Sequence, residues 1–195
     1  MKTDPWMALR AALLAAALML AGCATPVADE PPGAPDEPAA PRLGFFSRIK
    51  TPDSVQPVLR LTAAGVQIFR CEKRDDGFVW VFRQPEAELA DPAGHIVARH
   101  GVNFSFEHVD GSRLVGTVLG FDEPPQPGHL RWLLLATRSF GEGAFAGVTH
   151  VQRVNTAGGM PPPRCDATQS NRLLRVNFTA DFVFYRPRQA LSSRT

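Results

Sequence analysis

The sequence has little of what metal sites and most linear enzyme signatures require. Only three cysteines occur in 195 residues, Cys23, Cys71 and Cys165, none of them at C-x-x-C spacing, and the five histidines never stand at H-x-x-x-H spacing. These absences argue against a zinc site written in local spacing. Neither a G-x-S-x-G elbow nor an H-E-x-x-H pair is present, which removes two linear signatures of hydrolases. No metal and no cofactor are expected, and no catalytic residue is assigned. From Thr51 onward sixteen Lys and Arg face fourteen Asp and Glu, and fifteen of the sixteen are Arg. With no cluster of basic and aromatic residues, nucleic acid is not an expected partner. No convincing amphipathic helix stands between Thr51 and Arg188.

What is present begins with a leader. Lys2 and Arg10 flank a charged start, "ALLAAALMLAG" follows over Ala12–Gly22, and "LAGC" ends at Cys23. An apolar run this short reads as a signal-peptide core, since a membrane span needs about 20 residues. Leu-Ala-Gly-Cys resembles the lipobox of bacterial lipoproteins, in which the Cys sulfur receives a diacylglycerol and the new amino group is acylated after cleavage. Several acyl chains anchor durably where one is marginal. Ala24 stands where an inner-membrane retention signal usually shows Asp, so the expected address is the periplasmic leaflet of the outer membrane. In that oxidising compartment Cys71 and Cys165 are expected to form a disulfide.

"ATPVADEPPGAPDEPAAPR", Ala24–Arg42, holds six prolines and hardly a bulky apolar residue. It cannot bury enough surface to fold and reads as a stiff, disordered tether. "FFSRIK", Phe45–Lys50, borders it as an element that docks on the domain or, alternatively, touches the membrane. The expected organisation is a signal peptide over 1–22, a lipidated Cys and Pro/Ala-rich linker over 23–50, one β-domain over 51–190, and a flexible tail over 191–195.

The domain reads as short strands. In "LLRVNFTADFVFY", Leu174, Val176, Phe178, Ala180, Phe182 and Phe184 share one face, while Arg175, Asn177, Thr179 and Asp181 share the other. "GVQIFRC" and "GFVWVFRQ" flank a hairpin turn, and "HIVARH", "FSFEHV", "SRLVGTV", "LRWLLLATRSF" and "GVTHVQRV" follow. Asp110-Gly111 predicts a tight hairpin with both residues at positive φ. The fold class is therefore all-β: an antiparallel sandwich or partly closed barrel of about 8–10 short strands. "GEGAFA", Gly141–Ala146, fits G-x-G-x-x-G/A, but a strand-like run follows instead of the helix that binds pyrophosphate. Those glycines predict a hairpin connection.

Candidate sites are diffuse. With Gly101–Asn103 as a three-residue loop, His100 faces Phe104, His108 lies opposite Ile96, and His95 points to the other face. Glu107, Asp110, Glu142 and Asp181 offer carboxylates, but their spacing selects no pair. In "HVQRVNTAGGMPPPRC", His150–Cys165, both faces are mixed. Structurally, Gln152 and Arg153 would bond neighbouring backbone and pair with an acid such as Asp181 or Glu107, with Thr156, Gly158 and Gly159 making a tight turn. Functionally, His100, Trp132, His150, Gln152, Arg153, Thr156, Gly158 and Gly159 would line a cleft for a small polar or anionic ligand.

Several of these stretches together resemble one family, domain of unknown function 3455. The likeness rests on Gly65, Gln67, Phe69 and Cys71, on His100 and Glu107, on Asp110, Gly111 and Ser112, on Trp132, and on Gln152, Arg153, Thr156, Gly158, Gly159 and Cys165. It departs at Asn103, Phe104 and Phe106, where the family shows Gly-Pro and Trp. The resemblance implies a secreted β-domain and no activity. The expected function is an envelope lipoprotein whose β-domain binds or scaffolds without catalysis, its partners being the membrane through its lipid and a small ligand or an envelope protein. Two alternatives stand: a small hydrolase or other enzyme around His100, Gln152 and Arg153, and a carrier of apolar ligands. A scaffold requires no enclosed pocket near Arg153 and a conspicuous apolar surface patch, an enzyme a cleft placing His100 or His150 within hydrogen-bond reach of a carboxylate or hydroxyl, and a carrier a dry void in a barrel wider than its side chains fill.

Overall fold

Strict alternation of apolar side chains over long runs determines the architecture. Residues 38–189 are described by the structure, a computed structural model. The signal peptide, Cys23, the tether up to residue 37 and the tail over 191–195 lie outside the described residues. Eight strands follow in chain order: β1 (Val55–Arg74), β2 (Gly77–Ala90), β3 (Ile96–Gly101), β4 (Ser105–His108), β5 (Arg113–Asp122), β6 (Trp132–Phe140), β7 (His150–Gly158) and β8 (Leu173–Pro187). Each pairs antiparallel with the next, and β1 pairs antiparallel with β8, so the sheet closes into a barrel with no free edge. Of the two all-β architectures that the pattern allowed, the barrel is the one formed. Its strands are not uniformly short: β1, β2 and β8 have 20, 14 and 15 residues. Leu61 and Ala63, ahead of "GVQIFRC", continue the inward alternation and lengthen β1.

The sizes of the inward residues fit a small barrel. Ala63, Ala87, Ala98 and Ala180 alternate with Leu61, Leu89, Leu114, Leu135, Phe178, Phe182 and Phe184 in one continuous core. Eight strands leave an interior that side chains fill or that holds one small ligand. Gly65 lets β2 cross β1 closely, since a Cβ there would lie 2.2 Å from the Glu86 carbonyl oxygen. Bulges at Ile68/Phe69, Val118/Gly120 and Val154/Ala157 bend the strands around the wall.

One end of the barrel is plugged. The connection from β6 to β7 contains the glycines of "GEGAFA" and sends Phe145 inward, fully buried, to stack on Phe184 with ring centres 4.9 Å apart. Phe106 meets Phe182 and Phe184 edge-on at 5.2 and 5.6 Å. Asp110 latches this loop by accepting hydrogen bonds from the Ala144 amide at 2.7 Å and the Ser112 hydroxyl at 2.6 Å. Those bonds hold its carboxyl well below the usual carboxylate range. The Asp110-Gly111 turn differs from expectation, because Gly111 has positive φ while Asp110 does not. The Gly111 amide bonds to the His108 carbonyl, closing a turn that ends in a left-handed glycine. The β3–β4 connection also differs: Val102–Phe104 form its loop, so His100 pairs with Phe106 and His108 with Ala98. A shift of two residues keeps every side chain on its face, so His108 still points away from the exposed His95, which pairs with Asp91.

Part of the outer wall is covered as well. Ile49, fully buried, packs with Leu134 and Val154, and Leu43 and Trp132 close over them. The segment is pinned by the Ser47 hydroxyl, which donates to Asp122 at 2.6 Å. Val183 and Tyr185, on the outward face of β8, are buried with Val55. This cover explains why both faces of "HVQRVNT" mix apolar and polar residues.

Candidate functional site: a cavity at the open end of the barrel

Opposite the plug, between strands β1 and β2 and the β3–β4, β5–β6 and β7–β8 connections, lies a cavity of about 690 Å³. Phe69, Phe82, Phe104, Leu130, Leu133 and Met160 form most of its apolar wall, and Gln67, His100 and Arg153 carry its polar groups inside the barrel. A volume of this order, largely apolar with a few convergent polar groups, is that of a small-molecule site.

Arg153 enters from β7. It pairs across the sheet with Leu133 and Phe182, both inward, so its guanidinium lies within the barrel with the residue 8% exposed. Its Nε and Nη2 donate to the Arg131 carbonyl at 3.3 and 3.0 Å. Among the described residues no carboxylate lies within ion-pair distance of it. Burial lowers its basicity to about 10. The expected pairing with Asp181 or Glu107 does not form, because β7 presents Arg153 inward while Asp181 is outside, bonded to Arg60 at 2.6 Å and Asn155 at 2.8 Å. One neutral carbonyl returns roughly 1.5–3 kcal/mol, against a desolvation penalty of several kcal/mol for a buried ion. Arg153 therefore costs the fold stability.

His100 stands on the aromatic plug, stacked 4.5 Å from Phe106 and tilted against Phe182 at 5.2 Å. Its Nδ1 lies 2.9 Å from the Ser105 carbonyl, and its Nε2 is buried without a partner. Burial pushes this imidazole down to about 4; the Ser105 carbonyl opposes the shift and the charge of Arg153 adds to it. The amide nitrogen of Gln67 is likewise buried and unpartnered. Both side chains are more than nine-tenths buried and border the cavity.

The remaining candidates divide by the barrel wall. Gln152 faces outward: its amide donates to the Ile49 carbonyl at 2.6 Å and its oxygen accepts from the Tyr185 hydroxyl. Trp132 also faces outward, packed with Leu43 over Ile49, Leu134 and Val154, with Nε1 buried and unpartnered. His150, paired with Tyr185 across the sheet, lies outside too, beside the Thr149 hydroxyl at 3.0 Å, and burial lowers its pKa. None of these three borders the cavity. Thr156, Gly158 and Gly159 do not make a tight turn. A bulge at Asn155, φ 51°, redirects the strand, so that the Thr156 hydroxyl donates to the Leu130 carbonyl and the Gly158 amide to His129 Nδ1. These residues brace the β5–β6 connection that forms one side of the cavity.

Gln67, Phe69, Phe82, His129 and Met160 belong to the cavity without having been marked as site residues by sequence. A signal did exist for Gln67, which interrupts the inward apolar row of Leu61, Ala63 and Phe69. Among the described residues no three His, Cys, Asp or Glu side chains gather as a metal site would.

The family model described as "Protein of unknown function (DUF3455)" matches residues 52–186, more than half of the chain. The chain belongs to the DUF3455 family. No curated protein matches it, and no solved structure does. In this DUF3455 domain the matched span runs from before β1 to Arg186 of β8, and includes Gln67, His100 and Arg153. The disulfide joins Cys71, near the end of β1, to Cys165 in the β7–β8 connection across 94 positions, at the open end of the DUF3455 barrel.

Proposed function

We propose that this chain is a non-catalytic binding module of the cell envelope, whose barrel takes a small organic anion with an apolar body into its open end. One observation carries the reading: a buried Arg153, with no carboxylate partner among the described residues, borders an apolar-walled cavity together with His100 and Gln67, each of which holds a buried nitrogen without a partner. A charge retained at a net cost to folding is expected where it meets a ligand of opposite charge. The scaffold form of the expectation required no enclosed pocket near Arg153, where the structure has a cavity open at the barrel end. Lipidation of Cys23 and the outer-membrane address remain part of the proposal. The disulfide supports an oxidising compartment. Phe45 and Phe46, 84% and 90% exposed just after the tether, support a position close to a bilayer.

The test uses the full chain in detergent, titrated with 2-naphthalenesulfonate and decane-1-sulfonate, each against its neutral sulfonamide. The sulfonates bind at least about tenfold more tightly than the sulfonamides, and Arg153→Met removes that preference. Equal binding of charged and neutral forms, or binding of neither, overturns the reading. Palmitate labelling that persists in Cys23→Ser would overturn the anchor.

A further inference from the structure

His100, which borders the cavity, holds a buried lone pair in place of a proton. A carbonyl only accepts, so Nδ1, 2.9 Å from the Ser105 carbonyl, carries the hydrogen. In the neutral ring Nε2 is then bare, and it is buried without a partner. Arg153 and Gln67, which border the same cavity inside the barrel, bring donors. A carboxylate or sulfonate would satisfy both donors while setting its own lone pairs against that of His100 Nε2.

The conflict disappears when Nε2 takes up a proton. The imidazolium then donates on both sides, from Nδ1 to Ser105 and from Nε2 to the anion, and the anion's charge is opposed by two cations. We propose that an acceptor-only organic anion enters this barrel together with one proton from solvent, held on His100 Nε2. The proposal rests on reading the cavity as an anion site and adds how that site is regulated. It also separates ligand classes, since a neutral alcohol can donate to the bare nitrogen and needs no proton.

The surroundings favour His100 as the receiver. On the cavity side the charged and titratable groups are Arg153 from β7, Arg83 from β2, and Glu123, His129 and Arg131 from the β5–β6 connection. Glu123 is engaged by Arg131 at 2.9 Å, and Arg83 by Glu72. His129 Nδ1 accepts from the Gly158 amide at 3.0 Å, so a proton there would break that bond. In the shallow groove on the other side of His100 stand Glu86, Glu88, Arg99 and Arg175, of which Glu86 and Arg175 pair with each other. In the empty barrel, burial and Arg153 keep His100 neutral down to about pH 4. A bound anion supplies the missing counter-charge, so proton uptake accompanies binding above that pH.

The sulfonate keeps its charge over the whole range and is the probe. Calorimetry of 2-naphthalenesulfonate binding to the full chain, in two buffers of different ionisation enthalpy, should show uptake approaching one proton at the acid end of pH 7 to 5.5. Affinity should rise roughly three- to tenfold per unit of falling pH. His100→Gln, whose amide donates without a proton, should bind without uptake and with a flat pH profile. Should that variant fail to fold, the ¹⁵N shift of His100 Nε2 in the native chain should move from the bare to the protonated range on adding the sulfonate. Binding without uptake, an unmoved nitrogen, or uptake retained in His100→Gln overturns the proton's role and leaves the anion site standing. No binding of any sulfonate at any pH instead overturns the site itself.

Discussion

Gln152 and Arg153 are consecutive residues that end on opposite sides of one barrel wall, Gln152 bonded to Ile49 and Tyr185 outside and Arg153 beside the cavity within. The strand's period of two separates their roles. Gln152 is part of the seal between the N-terminal segment and the barrel, and Arg153 borders the cavity proposed as the binding site.

Substitutions should divide the same way. Gln152→Ala leaves the Tyr185 hydroxyl and the Ile49 carbonyl unsatisfied and should cost about 1–3 kcal/mol of unfolding free energy, with sulfonate affinity near that of the native chain. Arg153→Met removes an unpaired buried charge and should raise stability by about 1–3 kcal/mol while weakening sulfonate binding to the level of the neutral sulfonamide. Urea unfolding of both variants, beside the same titration, checks this. A destabilised Arg153→Met that still prefers the sulfonate would reverse both assignments.

The empty protein should also lose stability in mild acid. His100 is neutral when folded down to about pH 4, whereas the unfolded residue titrates near 6.5. Below that value the unfolded chain binds the extra proton, so stability falls as the pH drops from 6.5 towards 4, by at most about 3 kcal/mol from this group. His150, also lowered, acts in the same direction. Asp110 and Asp166 are held low by hydrogen bonds, so their contribution is lost only at more acid pH. Urea midpoints at pH 7 and 4.5 should separate clearly in the native chain and much less in His100→Gln. Equal separations would show that His100 is not buried neutral.

The alternation in "LLRVNFTADFVFY" made β8 and its inward phenylalanines legible, and the same pattern in Leu61 and Ala63 could have extended β1. Closure was not legible, because it depends on β1 pairing with two partners at once, a non-local fact. The mixed faces of "HVQRVNT" did signal something unusual, but period alone could not tell a polar residue beneath an external strap, Gln152, from one aimed into a cavity, Arg153. The cover over Gln152 comes from Ile49, 103 positions away. The bulge at Asn155, a left-handed residue in the middle of a strand, broke the periodicity that would have placed Thr156.

The disulfide ties β1 to the β7–β8 connection, a loop of 94 positions. In the chain-entropy model such a closure restricts the unfolded state by about 4–5 kcal/mol, which strain can only reduce. Paired Cys71→Ala and Cys165→Ala substitutions should therefore lower unfolding free energy by about 2–5 kcal/mol. Alkylation of the native chain should label neither thiol until a reductant is added, and labelling of both without reduction would contradict the bond.

Gly159 connects backbone conformation to the cavity wall. Its φ of 90° favours glycine, and a Cβ would lie 2.5 Å from Leu130 Cγ. Leu130 both borders the cavity and receives the Thr156 hydroxyl on its carbonyl, so it has little room to retreat. Gly159→Ala should thus combine backbone strain of about 1–3 kcal/mol with displacement of the Leu130 wall. The expected result is a lower urea midpoint together with weaker binding of decane-1-sulfonate, if its chain is held against that wall. A variant that loses stability but binds unchanged would place the ligand's apolar body elsewhere in the cavity, towards Phe69 and Phe82.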